Sequence, residues 1–353
     1  AKVHVTELGH DGGSRTSTQL DLSWLRLLPC GGPDLVSVSP RLEQLAGLKL
    51  GQFLRLVGWW RRWLASVEPD LLLCSCYYSD EVLPAVVAAN ALGIPTIDIQ
   101  HGKQGRFQGM YNHWTVAPQE GFKVLPSRFW VWGRPSAAHF DSNAFSGVHL
   151  PVVGGNCWIQ SWMSRQGSGS GTLPAALLQL IEGASLVVLV SLQHDGRIPK
   201  VVEEDMRTSS RQTRWLIRAH PVVSHAGRGA IEARAEELAA GRVEVTLASS
   251  LPLLELLTLC THHVTGWSSV GYEALVLGVP TVFVAEQAAT LYKDYIDRQH
   301  FAFAATATDL VGALERPLED WDLKEQTPYI ETDPSVTSRA IEQLLQLAGK
   351  SDP

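Results

Sequence analysis

Along this chain, short runs of continuous apolar residues alternate with longer stretches in which apolar and polar positions mix. DLLLCSCYY (70–78), IPTIDIQ (94–100) and RFWVWG (128–133) are runs of the first kind and predict strands. DEVLPAVVAANALG (80–93), closed by Gly93, predicts a helix between the first two, and RPSAAHFDSNAF (134–145) predicts another after the third. Strands that are apolar on both faces must be covered on both faces, so the pattern predicts a parallel sheet between layers of helix. The small, polar stretch SRQGSGSGT (164–172) then reads as a linker. Beyond it the alternation restarts with SLVVLVSLQ (185–193), TRWLIRAH (213–220), RVEVTL (242–247), THHVTG (261–266) and VPTVFV (279–284). GAIEARAEELAAG (229–241) is the clearest helix between them. The expected architecture is α/β: two Rossmann-like, doubly wound domains, 1–155 and 173–353, joined by a linker at 156–172 and facing a central cleft.

Composition narrows the classes. A chain of 353 residues that is 45% hydrophobic can bury two ordinary cores. A net charge of −7 argues against a nucleic-acid partner, which needs a basic surface. Five scattered cysteines offer neither a disulfide framework nor zinc spacing, so a reducing, cytoplasmic setting is expected. No apolar run reaches the roughly 18 residues a membrane span requires. In GWWRRWLAS (58–66), three tryptophans with Arg61 and Arg62 suit either a lipid interface or an amphipathic helix. The helix packed on the sheet with arginines outward is the preferred reading, and peripheral inner-membrane association stays open. The glycines of GHDGGSR (9–15) lack dinucleotide spacing and read as a turn.

Candidate chemistry sits at the ends of predicted strands. In LIRAHPVV, Pro221 stops the strand and presents His220 at the rim, where a ring nitrogen can hold a phosphate oxygen. In VTGWSSVGYEALVLGVPTVFV (264–284), a helix is expected to start near Ser268. Its free N–H groups and the hydroxyl of Ser268 or Ser269 favour phosphate, and Glu273 one turn on can accept ribose hydroxyls. Gln193 and Asp195 follow a strand in VSLQHDGR (190–197). Asp195 is a candidate nucleophile, base or metal ligand, or else half of a turn-forming Asp-Gly pair. In the first half, TIDIQHGKQGRF (96–107) places Gln100, Lys103 and Arg106 as an acceptor-side wall, with His101 and Asp98 as candidate acid/base groups. No Asp-x-Asp metal pattern is visible, so no metal or other cofactor is expected.

The string THHVTGWSSVGYEALVLGVPTVF resembles the nucleotide-sugar-binding half of GT-B glycosyltransferases. Together with IQHG, FWVWG, SLQHDG and the His-Pro pair, it resembles bacterial capsule and lipopolysaccharide β-Kdo transferases, over residues 70 to 284. The resemblance implies transfer of a sugar from a nucleotide sugar, CMP-Kdo, to a saccharide or lipid-linked saccharide acceptor in surface-polysaccharide synthesis. It implies that His220 and Ser268 or Ser269 hold the donor phosphate, that Glu273 lies near the ribose, and that Asp195 is the nucleophile of a retaining reaction. Capsule enzymes show a longer Gln-to-Asp spacing than Gln193 to Asp195. His-Pro also occurs in glycerophosphate transferases that use CDP-glycerol. Those transferases, a UDP-sugar 2-epimerase of the same fold, a non-catalytic nucleotide-binding module and a module of a larger enzyme remain the alternatives.

Overall fold

The computed structural model describes residues 40–353 except 106, 112–117, 141–146, 166–172, 211, 325–327, 348 and 350–353. The glycine-rich stretch 9–15, Arg106 and residues 166–172 of the expected linker lie outside the described residues. Two parallel sheets form. The first has four strands in chain order: β1 (Leu72–Cys74), β2 (Thr96–Ile99), β3 (Arg128–Val131) and β4 (Leu150–Val153). The second contains β5 (Leu186–Ser191), β6 (Thr213–Arg218), β7 (Val243–Glu244), β8 (His262–Thr265), β9 (Thr281–Phe283) and β10 (Phe301–Phe303). Its spatial order is β10-β9-β8-β5-β6-β7. The chain winds outward from β5 to β7, then returns to place β8 on the other side of β5. That reversal makes the second lobe doubly wound and opens a crevice beyond the carboxyl ends of β5 and β8.

Both faces of β5 are covered, which is why its sequence is an unbroken apolar run. Leu189 packs on one side with Leu216 and Phe283; Val188 and Val190 pack on the other with Trp215 and Ile217. The first lobe is smaller and more aromatic: Tyr77, Tyr111, Phe129 and Phe140 meet edge-on or tilted behind β2 and β3.

Several expectations change. The helix after Gly133 is a single described turn, Arg134–Ala137, and the RVEVTL strand keeps two residues before a helix over Thr246–Ser250. Part of the expected linker is a helix, Cys157–Arg165. The helix Pro40–Val67 buries Leu64 against Ala88 and Ala89 of the helix Leu83–Ala91. Trp59 and Trp63 face outward with the arginines, their rings parallel at 6.3 Å. Among the described residues, no helix is long and apolar enough to cross a membrane.

The C-terminal segment crosses back to the first lobe, which no sequence pattern foretold. The Glu331 N–H donates to the carbonyl of Trp132 at 2.8 Å. The helix Pro334–Leu347 then lays Ala340 and Leu344 on Ile97, Trp130 and Val152 of the first sheet. Gly133 makes room for the crossing, since a Cβ there would come within 2.5 Å of the Tyr329 carbonyl oxygen. Tyr329 itself stacks on Tyr272 of the second lobe, with ring centroids 3.6 Å apart. Its hydroxyl accepts from the Gln104 N–H and donates to the Gln104 carbonyl, both at 2.9 Å.

Tyr329→Phe keeps the stack but leaves a buried amide and carbonyl unpaired. We expect a loss of about 1–3 kcal/mol in urea unfolding; unchanged stability would show that the hydroxyl does not brace the lobes.

Candidate functional site

The crevice follows from strand order. β5 leads through Leu192 into Gln193, whose side-chain amide donates to Thr265 Oγ1 at 3.3 Å. Thr265 Oγ1 in turn donates to the Ser191 carbonyl at 2.7 Å. A Cβ on Gly266 would lie 3.3 Å from Gln193, so the two loop ends are in close contact. Beneath them, fully buried His263 bridges Thr281 Oγ1 and Ser191 Oγ at 3.1 and 3.0 Å. Burial drives its pKa down to about 3, so this histidine is a neutral pin across three strands.

Around this crevice the structure gathers several expected residues. Ser268 and Ser269 precede the helix Val270–Val276. Ser268 Oγ accepts from the Val270 N–H at 3.3 Å, which is a local turn rather than a helix cap, and Ser269 makes no side-chain cap. Glu273 is not solvent-facing. It is half-buried, and burial pushes its carboxyl up to about 7, with Arg218 pulling the other way. Arg218 is the residue sequence reasoning missed here. It ends β6, two positions before His220, and donates to the carbonyls of Ala248 and Leu251 at 2.8 and 2.6 Å. Its place at the end of the strand, two residues before His220, was the available signal. His220 lies two residues past the end of β6, half-buried, in a turn closed by the Val223 N–H donating to its carbonyl. Its Nδ1 accepts from the Val222 N–H at 3.4 Å, and Nε2 has no partner among the described residues. Pro221 sits inside that turn, so the strand stops before the proline is reached.

The first lobe supplies the facing wall. A Cβ on Gly102 would lie 3.7 Å from Ser269 Oγ, so the loop after β2 reaches the loop after β8. His101 is exposed at this junction, and partial burial holds its imidazole below the usual pKa. The Cys76 thiol sits 3.1 Å from His101 Nε2, a pairing that sequence distance concealed.

Four expected residues are placed elsewhere. Asp98 is fully buried, accepting from the Tyr77 N–H at 3.0 Å and the Tyr111 hydroxyl at 2.8 Å. Burial raises its carboxyl to about 6, and with no exposed oxygen it braces the aromatic core instead of meeting an acceptor. Gln100 is also buried, because its amide ties the Gly102 carbonyl to the Trp132 N–H. It therefore shapes the acceptor-side loop without lining it. Asp195 is exposed in a Gln193–Gly196 turn, where its carboxylate accepts from the Arg197 N–H at 3.2 Å. It lines a separate cavity of about 460 Å³ with Glu203 and Arg234. Lys103 leaves the first lobe altogether: its ammonium donates to the Leu291 carbonyl and lies 3.7 Å from the Tyr292 ring centre. Among the described residues, no three His, Cys, Asp or Glu side chains group as a metal cage.

The architecture is the GT-B fold. A UDP-GlcNAc 2-epimerase from Neisseria meningitidis, solved with UDP-GlcNAc, matches with a TM-score of 0.55 at 14% identity, over 83% of this chain and 81% of its own. A Methanocaldococcus jannaschii UDP-GlcNAc 2-epimerase, solved with UDP-GlcNAc and UDP, matches with a TM-score of 0.56 at 14% identity, over 86% and 81%. A UDP-forming α,α-trehalose-phosphate synthase from Burkholderia vietnamiensis matches with a TM-score of 0.52 at 14% identity, over 90% and 79%. No family profile and no curated protein matches the chain. The expected two-lobed fold stands; the likeness to Kdo transferases finds no counterpart among these neighbours.

Glu273 gives a pH-dependent signature. Its folded pKa lies above the unfolded value near 4.5, so its ionisation destabilises the fold as pH rises from about 4.5 to 7. Glu273→Gln should match the wild type below pH 5 and exceed it by about 1–3 kcal/mol above pH 7. Denaturation curves across this range check it; a gap that does not grow with pH would refute the assignment.

Proposed function

We propose that the chain is a nucleotide-sugar enzyme that binds a uridine-linked sugar in the interlobe crevice and inverts the carbon next to the anomeric centre. The observation that carries this reading is the approach of the Gly102 loop to Ser269, directly over the strand reversal at β5 and β8. The nucleotide lies on the second lobe. Ser268, Ser269 and His220 Nε2 donate to its phosphates, and Glu273, beside Arg218, meets the ribose hydroxyls. Negative charge on the leaving phosphate is stabilised by donors already in place. The C2 proton leaves as the C1–O bond to the phosphate breaks, and the phosphate adds back to C1 as a proton returns to the opposite face of C2, which inverts that carbon. His101, whose imidazole burial holds below its usual pKa, stands on the facing wall and is the base. The UDP-linked neighbours favour this reading over transfer.

Transfer to a saccharide acceptor is the second reading, supported by a cavity of about 930 Å³ beside the crevice, which isomerisation does not need. Its CMP-Kdo form follows from the His-Pro pair. There His101 is the base that activates the acceptor hydroxyl in an inverting reaction.

Thermal shifts with UDP, CMP, CDP and GDP, followed by NMR of UDP-GlcNAc incubated without acceptor, separate the readings. We expect UDP to stabilise the protein and the C2 epimer to accumulate. His101→Ala should lower turnover by about 10²–10⁴-fold with UDP binding retained. Stabilisation by CMP alone, with CMP released from CMP-Kdo only when an acceptor is present, would replace epimerisation with transfer.

A further inference from the structure

A cavity of about 930 Å³ lies between the lobes, and none of His101, Gln193, His220, Ser268, Ser269 or Glu273 lines it. Its walls come from the loop after β2, the turn Arg134–Ala137 with His139, and the segment 289–300 of the second lobe. Its size suits a ligand of a few rings.

Its chemistry is specific. Lys103 brings an ammonium group into the wall, where it meets the Leu291 carbonyl and the Tyr292 ring and no carboxylate within ion-pair distance. A cation taken from water without a carboxylate partner is costly, and burial lowers this lysine to about 7 although Asp294 pulls it upward. An anion in the cavity offsets that cost. Next to it, Gln104 is only 2% exposed, and neither polar atom of its side chain has a partner. An orphaned buried amide of this kind is costly unless a ligand satisfies it. Arg298 and Lys324 add positive charge to the lining, and Lys293 is engaged by Asp297 at 2.7 Å. Asp294 and Asp322 are the carboxylates of the lining, leaving it net positive in a chain of net charge −7. Half-exposed Phe107 and Tyr295 add aromatic surface to the lining.

We infer that this cavity is a second ligand site, separate from the nucleotide crevice, built for a saccharide that carries a carboxylate or phosphate. The anion lies against Lys103 and Arg298, the amide of Gln104 bonds to a hydroxyl, and the sugar ring packs on the aromatic wall. The site needs neither epimerisation nor transfer to be true, since it concerns binding.

The test is calorimetric titration of the full chain, with and without saturating UDP, using glucose 6-phosphate, glucuronate, glucose and inorganic phosphate. Glucose 6-phosphate or glucuronate, or both, should bind with UDP present, and which of them binds tells phosphate from carboxylate. Glucose and inorganic phosphate should bind at least tenfold more weakly. Lys103→Met and Arg298→Gln should each weaken the charged sugar at least tenfold, while Arg298→Gln leaves UDP affinity unchanged. Arg298 lies at the cavity alone, so this variant remains informative if Lys103→Met fails to fold. Absence of charged-sugar binding, equal affinity for glucose or for inorganic phosphate, competition by UDP, or indifference to Arg298→Gln would each overturn the inference. UDP binding in the same titrations reports on the crevice, so the two readings fail separately.

Discussion

The hydroxyl of Tyr329 is the contact on which the cleft depends. It pairs with both the N–H and the carbonyl of Gln104 while its ring lies flat on Tyr272, so one side chain is bonded to the first lobe and stacked on the second. The Gln100 amide also approaches that hydroxyl, at 3.3 Å, and holds Gly102 and Trp132 in the same network. Buried backbone groups must be paired, so the loop after β2 has one arrangement in which they are satisfied. In that arrangement Gly102 lies against Ser269, His101 beside it meets Cys76, and Lys103 crosses to Tyr292. The crevice and the cavity beside it are two consequences of the same latch.

Polarity in the interior is divided between bracing and chemistry, and burial tells the two apart. His263 and Asp98 are completely enclosed and fully partnered, and they pin strands or aromatic rings. Glu273 and His220 are half-buried and keep an atom or a charge state in reserve. Residue type alone does not make this distinction, since each pair holds one carboxylate and one imidazole. What separates them is whether every polar atom is already bonded to protein.

The strands of the second lobe were legible because burial on both faces favours apolar runs: β5 is one almost throughout, β6 and β9 hold shorter ones, and β8 is buried at every position although it carries His262, His263 and Thr265. Strand-end residues were legible for a related reason: polar groups directly after such a run have nowhere to go but the rim. That argument put Gln193, His220 and Ser268 after strands, and in the structure they follow the ends of β5, β6 and β8. It failed for Asp98 and Gln100, which stand within or directly after β2 yet turn inward to satisfy neighbouring donors and acceptors. It also missed β4 and β10, whose runs are short and carry a proline or alternate with alanine.

By itself the sequence determined the class of fold and the ends of the strands where chemistry can occur, because periodicity and chain-breaking residues act over a few positions. Tertiary structure alone decided which of those ends meet. The crossing of the C-terminal segment at Gly133, the stack of Tyr329 on Tyr272 and the neighbours Cys76 and His101 join residues far apart in the chain. Such contacts arise from packing and from pairing of buried polar groups, and no local pattern encodes them. Lys103 shows the difference most sharply: in sequence it belongs to the first lobe, and in the fold its charge is held by the second.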